Sequence, residues 1–167
     1  MDFKHDILPL KNIIFRTALR IVLNREEAED IVQDTLMKLW ERRDELERVE
    51  NLEAFALTMA RNLAIDRKEK TDNQHVSFDD ETHDRPDEGQ RTDGKLTQKE
   101  TQGFVANIIN SLPEKQRTIL QLRDIEGKSY KEISNVLSIS ESDVTVTLFR
   151  ARNEMREKIL QKKSLFL

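Results

Sequence analysis

The chain contains no cysteine, which excludes disulfides and thiolate chemistry and fits a reducing compartment. Four glycines and three prolines in 167 residues are too few for the turns of an all-β fold, so an all-α chain is expected. The three histidines, His5, His75 and His83, fall in segments that read as terminal or linker. With no phosphate-binding glycine loop and no metal-ligand spacing, the sequence supports neither an enzyme nor a cofactor. No apolar run approaches a membrane span, and the N-terminus, MDFKHDILPLKN, has no secretory apolar core. A cytoplasmic protein without membrane insertion is expected.

Charge is abundant, and its distribution matters more than the net value of −4. Residues 1–70 hold thirteen Lys/Arg against fifteen Asp/Glu, residues 71–100 four against nine, and residues 101–167 eleven against eight. The acidity is concentrated in the middle, and the C-terminal part is mildly basic. The stretch 71–100, TDNQHVSFDDETHDRPDEGQRTDGKLTQKE, is polar, carries Pro86, Gly89 and Gly94, and has no helical stripe. It reads as a flexible acidic linker between two small helical domains, residues 1–70 and 101–167. The alternative is a long ordered surface loop, which is uncommon at this length inside a compact domain.

Capping signals divide the first domain into three helices. One spans about Asp6 to Leu23. Asn24, with Glu27 three residues on, opens a second running to about Leu46, and Asn51 opens a third running to about Lys70. In the second domain a helix runs from about Thr101 to Asn110. Pro113 sits in the first turn of another, which ends near Gly127. Ser129-Tyr-Lys-Glu132 opens a short helix, and Ser140-Glu-Ser-Asp143 opens a long one.

The start of that last helix, VTVTLFRAR, alternates like a strand, but it follows a cap and precedes strong helix formers, so helix wins. At about 100° per residue, Val144, Leu148, Ala151, Met155 and Ile159 form one apolar stripe. Val146, Phe149 and Asn153 then point away from the core. A short helix, a tight turn (SIS) and a long helix make a helix-turn-helix, whose second helix enters the DNA major groove. Ser142, Thr145, Val146, Phe149, Arg150, Arg152 and Asn153 are its candidate reading residues, because apolar groups can meet thymine methyls while Thr and Arg can bond base edges or phosphates. The alternative for Phe149 is burial elsewhere in the domain, and for the arginines a solvated charge run.

The second helix of the first domain carries Asp30, Asp34, Met37, Lys38 and Glu41 opposite its core face of Ala28, Val32, Thr35, Leu36 and Leu39. That strip is either a solvated face or a dock for a basic helix. In the third helix Leu52, Phe55, Met59 and Leu63 form the expected stripe. Arg61 and Lys68 point away from it, with Arg67 nearby, as a cationic surface suited to phosphates. Asp66, one turn from Asn62, reads as a structural hydrogen-bonding group. Trp40 is expected to pack at the edge of the core.

EEAEDIVQDTLMKLWERRDEL, followed by NLEAFALTMARNLAIDRKEK, resembles conserved region two of bacterial sigma factors. SLPEKQRTILQLRDIEGKSYKEISNVLSISESDVTVTLFRARNEMREKI resembles their region four. Both blocks in one short chain, with no region-three domain between them, resemble the extracytoplasmic-function group. The resemblance implies that Asp30, Gln33, Asp34, Met37, Lys38 and Glu41 dock on the β′ coiled coil of core RNA polymerase. It implies that Arg48 and Asn51 with Arg61, Asn62, Asp66, Arg67 and Lys68 engage the downstream promoter element, where a base is flipped out of the stack. The final helix would read the upstream element. An anti-sigma factor is a further partner that the resemblance leaves open.

Two departures matter. Thr145 and Thr147 stand where relatives often carry basic residues, so the upstream preference cannot be borrowed. Ser138 replaces a glycine common in the family's turn, so the turn is strained or the backbone has no positive φ there. Two rival readings remain at this stage. A stand-alone helix-turn-helix regulator would bind DNA without polymerase, and a helical adapter would bind protein only.

Overall fold

The computed structural model describes residues 1–74 and 97–164, and among these every regular element is helical. The polypeptide enters through a turn of π-helix, Phe3–Ile7, and a 3-10 turn, Leu8–Leu10, which carries Pro9. Helix α1, Lys11–Val22, therefore starts later than its periodicity suggests. It ends at Leu23, which adopts a left-handed conformation (φ 56°).

Asn24 then caps α2, Arg25–Glu41, its side chain accepting from the Glu27 amide at 3.0 Å. The Glu27 carboxylate accepts from the Thr71 hydroxyl at 3.0 Å. The helix breaks at Arg42, and the rest of the expected span is a separate turn, α3, Arg43–Leu46. Trp40 lies at the surface, edge-on to Phe3 and under the Arg43 guanidinium. The Asn51 side chain accepts from the Ala54 amide at the start of α4, Leu52–Gln74.

The second half begins at Thr97, whose capping box with Glu100 opens α5, Gln98–Asn110. Pro113 precedes α6, Glu114–Leu120, which continues as a π-turn, Gln121–Ile125. Gly127 supplies a positive φ of 73° after it, a conformation glycine adopts without steric cost. Helices α7, Tyr130–Leu137, and α8, Glu141–Ser164, complete the chain. Both flanks of the expected linker are thus helical, through Gln74 and from Gln98. The remainder of that expectation, residues 75–96, lies outside the described residues.

Packing departs from the single-stripe expectation in α4. Ala56, Ala60 and Ala64 are its fully buried residues in the first core, whereas Leu52, Phe55, Met59 and Leu63 are only half-buried around it. The alanines, spaced by four, line the face toward α1 and α2, where small side chains let helices approach closely. The larger residues cover the flanks.

The two cores also meet. Ile13 of α1 and Leu57 of α4 belong to the second cluster, with Leu112, Ile119, Leu122, Ile133 and Val136. Arg117 seals this seam. It is buried, and its guanidinium donates to the carbonyls of Arg20 (2.6 Å) and Ile21 (3.1 Å) at the end of α1 and to Leu112 (2.7 Å). A cation at a helix C-terminus satisfies orphan carbonyls and complements the helix dipole. Burial nevertheless pulls the Arg117 pKa down. Beside it, Arg16 holds Glu126 through two bonds of 2.7 and 2.8 Å, and Arg20 bonds Gln121 and Asn110.

Candidate nucleic-acid interface

The helix-turn-helix is built from local chemistry. At the start of α7 the Ser129 hydroxyl accepts from the Glu132 amide, and the Glu132 carboxylate accepts from the Ser129 amide. That backbone bond is the main reason the Glu132 pKa lies below its ordinary value. Helix α7 ends at Ser138 with φ 56°, its amide donating to the Ser134 carbonyl. The glycine-like conformation is therefore present without the glycine. Ser140 caps α8, accepting from the Asp143 amide at 3.0 Å. The Asp143 carboxylate accepts from Lys115 at 2.9 Å and from the Thr147 hydroxyl at 3.0 Å. Lys115 is the first cause of the lowered Asp143 pKa.

Val144, Leu148 and Ala151 are buried against Ile133, Val136 and Leu137, as the stripe requires. Opposite them Val146 is 46% exposed and Phe149 67% exposed. Ser142, Thr145 and Arg150 are exposed on the same side, and the Thr145 hydroxyl is turned back onto the Glu141 carbonyl. Asn153 is half-buried. Arg152 differs from the rest, because its guanidinium forks onto Asp124 of the preceding π-turn. Thr147 is buried and structural.

On α2, Asp30, Gln33, Lys38 and Glu41 are exposed around Met37, itself 61% exposed, and Asp34 is half-buried. The cationic face expected on α4 is different from its sequence picture. Arg67 donates to Asp30 (3.1 Å) and Asp34 (3.4 Å) on α2. Arg61 does not face solvent. It points at Glu114 of α6 across 3.6 Å, with both side chains 19% exposed, and its Nε is buried without a hydrogen-bond partner. Asn51 donates to Glu132 of α7 at 3.4 Å. Arg48, Asn62 and Asp66 are exposed and Lys68 is half-buried. Periodicity gave no sign of these pairings, because they join helices far apart in the sequence. For the same reason the sequence does not show Glu53, Glu114, Arg117, Lys128 and Glu132 as members of one seam.

Among the described residues no group of acidic or histidine side chains could hold a metal ion, and no helix is long and apolar enough to cross a membrane.

Residues 7–74 match sigma-70 region 2 and residues 105–155 match sigma-70 region 4. RNA polymerase sigma-H factor of Pseudomonas aeruginosa is 28% identical over 96% of this chain and 83% of its own length. The ECF RNA polymerase sigma factor SigL of Mycobacterium tuberculosis is 26% identical over 86% of this chain and 81% of its own. Among solved structures, the sigma factor RpoE of Bartonella quintana, in complex with the anti-sigma factor NepR, superposes with a TM-score of 0.74 at 26% identity. The match covers 93% of this chain and 95% of that one. CnrH, in complex with the cytosolic domain of CnrY, shares the fold at a TM-score of 0.66 and 18% identity. The two region matches, in order and over helices that form these surfaces, place this chain in the sigma-70 family as an RNA polymerase sigma factor of the extracytoplasmic-function type.

Proposed function

We propose that residues 1–70 carry the polymerase-docking and downstream-element surfaces, and residues 101–167 the upstream-element surface. The observation that carries this division is the outer face of α8. Val144, Leu148 and Ala151 of its inner face are buried, yet Phe149 and Val146 remain in water on the side that a major groove would meet. Ser142, Thr145 and Arg150 surround them with groups for phosphates and base edges, and Asn153 lies along the same helix. Arg152 would contribute only by leaving Asp124.

On α2 the exposed carboxylates around Met37 suit a basic coiled coil, which is the role of Asp30, Gln33, Asp34, Met37, Lys38 and Glu41. Arg48, Asn51, Arg61, Asn62, Asp66, Arg67 and Lys68 serve the downstream element. The protein acts by binding rather than catalysis, in the cytoplasm and with no cofactor. An anti-sigma factor is a further partner, by extension from the Bartonella quintana relative.

The test is binding of the purified chain to bacterial core RNA polymerase, with Asp34→Arg as the control. Tight binding that weakens about tenfold or more in the control is expected, because a like charge now faces the partner. Specific DNA binding by the chain alone, with no affinity for a competent polymerase, would overturn the reading.

A further inference from the structure

We propose that the cleft between the end of α1, α5 and the π-turn 121–125 binds a small amphiphilic carboxylate, a medium-chain alkanoate by class, with its head on Arg20 and its chain along Leu19, Leu23 and Ile125. The cleft has a volume of about 350 Å³, within the range of small-molecule sites.

The head group is called for by an arginine without a counter-charge. Arg20 is half-buried, and its guanidinium donates to the Gln121 Oε1 at 2.7 Å and the Asn110 Oδ1 at 3.1 Å, both uncharged acceptors. Among the described residues no carboxylate forms an ion pair with it. Glu126 is already held by Arg16 through two bonds and by the Gln121 amide at 2.7 Å. Burial lowers the Arg20 pKa, and the like charge of Arg117 beside it adds to the effect. A cation taken partly out of water is costly unless an anion meets it, and a carboxylate fits the guanidinium fork.

The end of α1 would ordinarily repel an anion, because a helix C-terminus carries partial negative charge. Here the Leu19 carbonyl accepts from the Leu23 amide, and the Arg20 and Ile21 carbonyls accept from Arg117. The charge that would oppose a ligand is thus already answered.

The chain is called for by the walls. Leu23 is 42% exposed and Ile125 49% exposed, with Leu19 and Ala106 half-buried beside them. Apolar side chains left in water around a concave site mark a place where something binds. These residues belong neither to the acidic strip of α2 nor to the outer face of α8. An inorganic anion would leave the walls wet, and a neutral lipid would leave Arg20 uncompensated. A carboxylate on a hydrocarbon chain meets both needs. Because the walls come from both halves of the protein, the bound ligand also stabilises the native arrangement by mass action.

The test titrates octanoate into the full chain, isotope-labelled at its leucine and isoleucine methyl groups. The signals of Leu19, Leu23 and Ile125 should shift together and give one Kd. Octanoate should bind about tenfold tighter than hexanoate, since more of its chain is buried. It should bind about tenfold or more tighter than octanol, which lacks the charge. Arg20→Gln should weaken octanoate binding about tenfold or more. That change also removes bonds to Gln121 and Asn110, so circular dichroism checks the fold, and Ala106→Glu supplies a second variant. Its carboxylate, one turn before Asn110 on α5, gives Arg20 a counter-charge from within. This variant should melt higher than wild type without ligand and lose the octanoate response.

Octanol as effective as octanoate would show mere partition onto apolar surface and overturns the proposal. So does octanoate affinity in either variant equal to that of wild type. No methyl shift with any alkanoate overturns it as well, and assigns the charge of Arg20 to another partner.

Discussion

Replacing Ser138 by glycine should make the protein more stable. Ser138 has φ 56° and ends α7 at the turn that leads into α8. A side chain in this conformation places Cβ close to the following carbonyl oxygen, at a cost of roughly 1–2 kcal/mol. Glycine removes that clash but gives the unfolded chain more freedom, which returns roughly 0.5–1 kcal/mol. The Ser138 side chain is exposed, and the hydrogen bond of its amide to the Ser134 carbonyl survives the change. The net expectation is a gain of about 0.5–1 kcal/mol. For a chain of this size that is a rise of about 1–4 °C in melting temperature. Thermal and urea unfolding of wild type, Ser138→Gly and Ser138→Ala would decide it. Alanine should stay within about 0.5 kcal/mol of serine, since it keeps the Cβ and loses no buried bond. A glycine variant no more stable than wild type would show that no strain resides at this turn.

Phe149→Ala should change stability by less than about 0.5 kcal/mol, because the ring is already mostly in water. An aromatic of this size leaves roughly 100 Å² available for contact, and covering half of it on DNA is worth about 1.3 kcal/mol at about 25 cal/mol per Å². Holoenzyme affinity for a selected upstream element should therefore fall about tenfold, and an unfolded variant would show instead that the ring is structural. Leu148→Ala, one residue away but facing inward at 1% exposure, should cost about 2–4 kcal/mol in urea unfolding.

The seam should loosen in acid. Burial pushes the Glu126 carboxyl up, but the hydrogen bonds from Arg16 and Gln121 outweigh it and hold the pKa below the ordinary 4.5. A carboxyl lowered in the folded state contributes fully above its unfolded pKa and loses that contribution as pH falls through its folded one. Energy transfer between dyes on Lys11→Cys and Lys131→Cys should thus decline below about pH 4.5. Glu126→Gln should weaken that decline, and an identical profile in the variant would refute the assignment.

Much of the local structure was legible because it depends on neighbours in sequence. Asn24, Asn51, Ser129 and Ser140 all cap the helices that their spacing announces. The burial of Val144 and Leu148 and the exposure of Val146 and Phe149 follow from one turn of helical geometry. Misreadings arose where one stripe was assumed to meet one core. Helix α4 is packed from more than one side, so its alanines hold the centre and its large residues the flanks. The cationic face of α4 failed for a related reason. Charge read along a single helix cannot show that Arg67 is claimed by α2 or Arg61 by α6. Arg117 looked like any other arginine on an amphipathic helix, since its partners are carbonyls, which every residue carries.

Those carbonyls give the end of α1 a peculiar history. Arg117 reaches the Arg20 carbonyl from 97 positions further along the chain. Synthesis proceeds from the N-terminus and domains form in that order. The first half of this protein therefore leaves the ribosome with the Leu19 carbonyl capped by the Leu23 amide but the Arg20 and Ile21 carbonyls, which Arg117 will take, still open to water. It keeps that unfinished end until residue 117 has emerged and folded back. Amide exchange near Leu23 would report the moment of completion, and the same amides would become labile again whenever the grown protein lets its halves part.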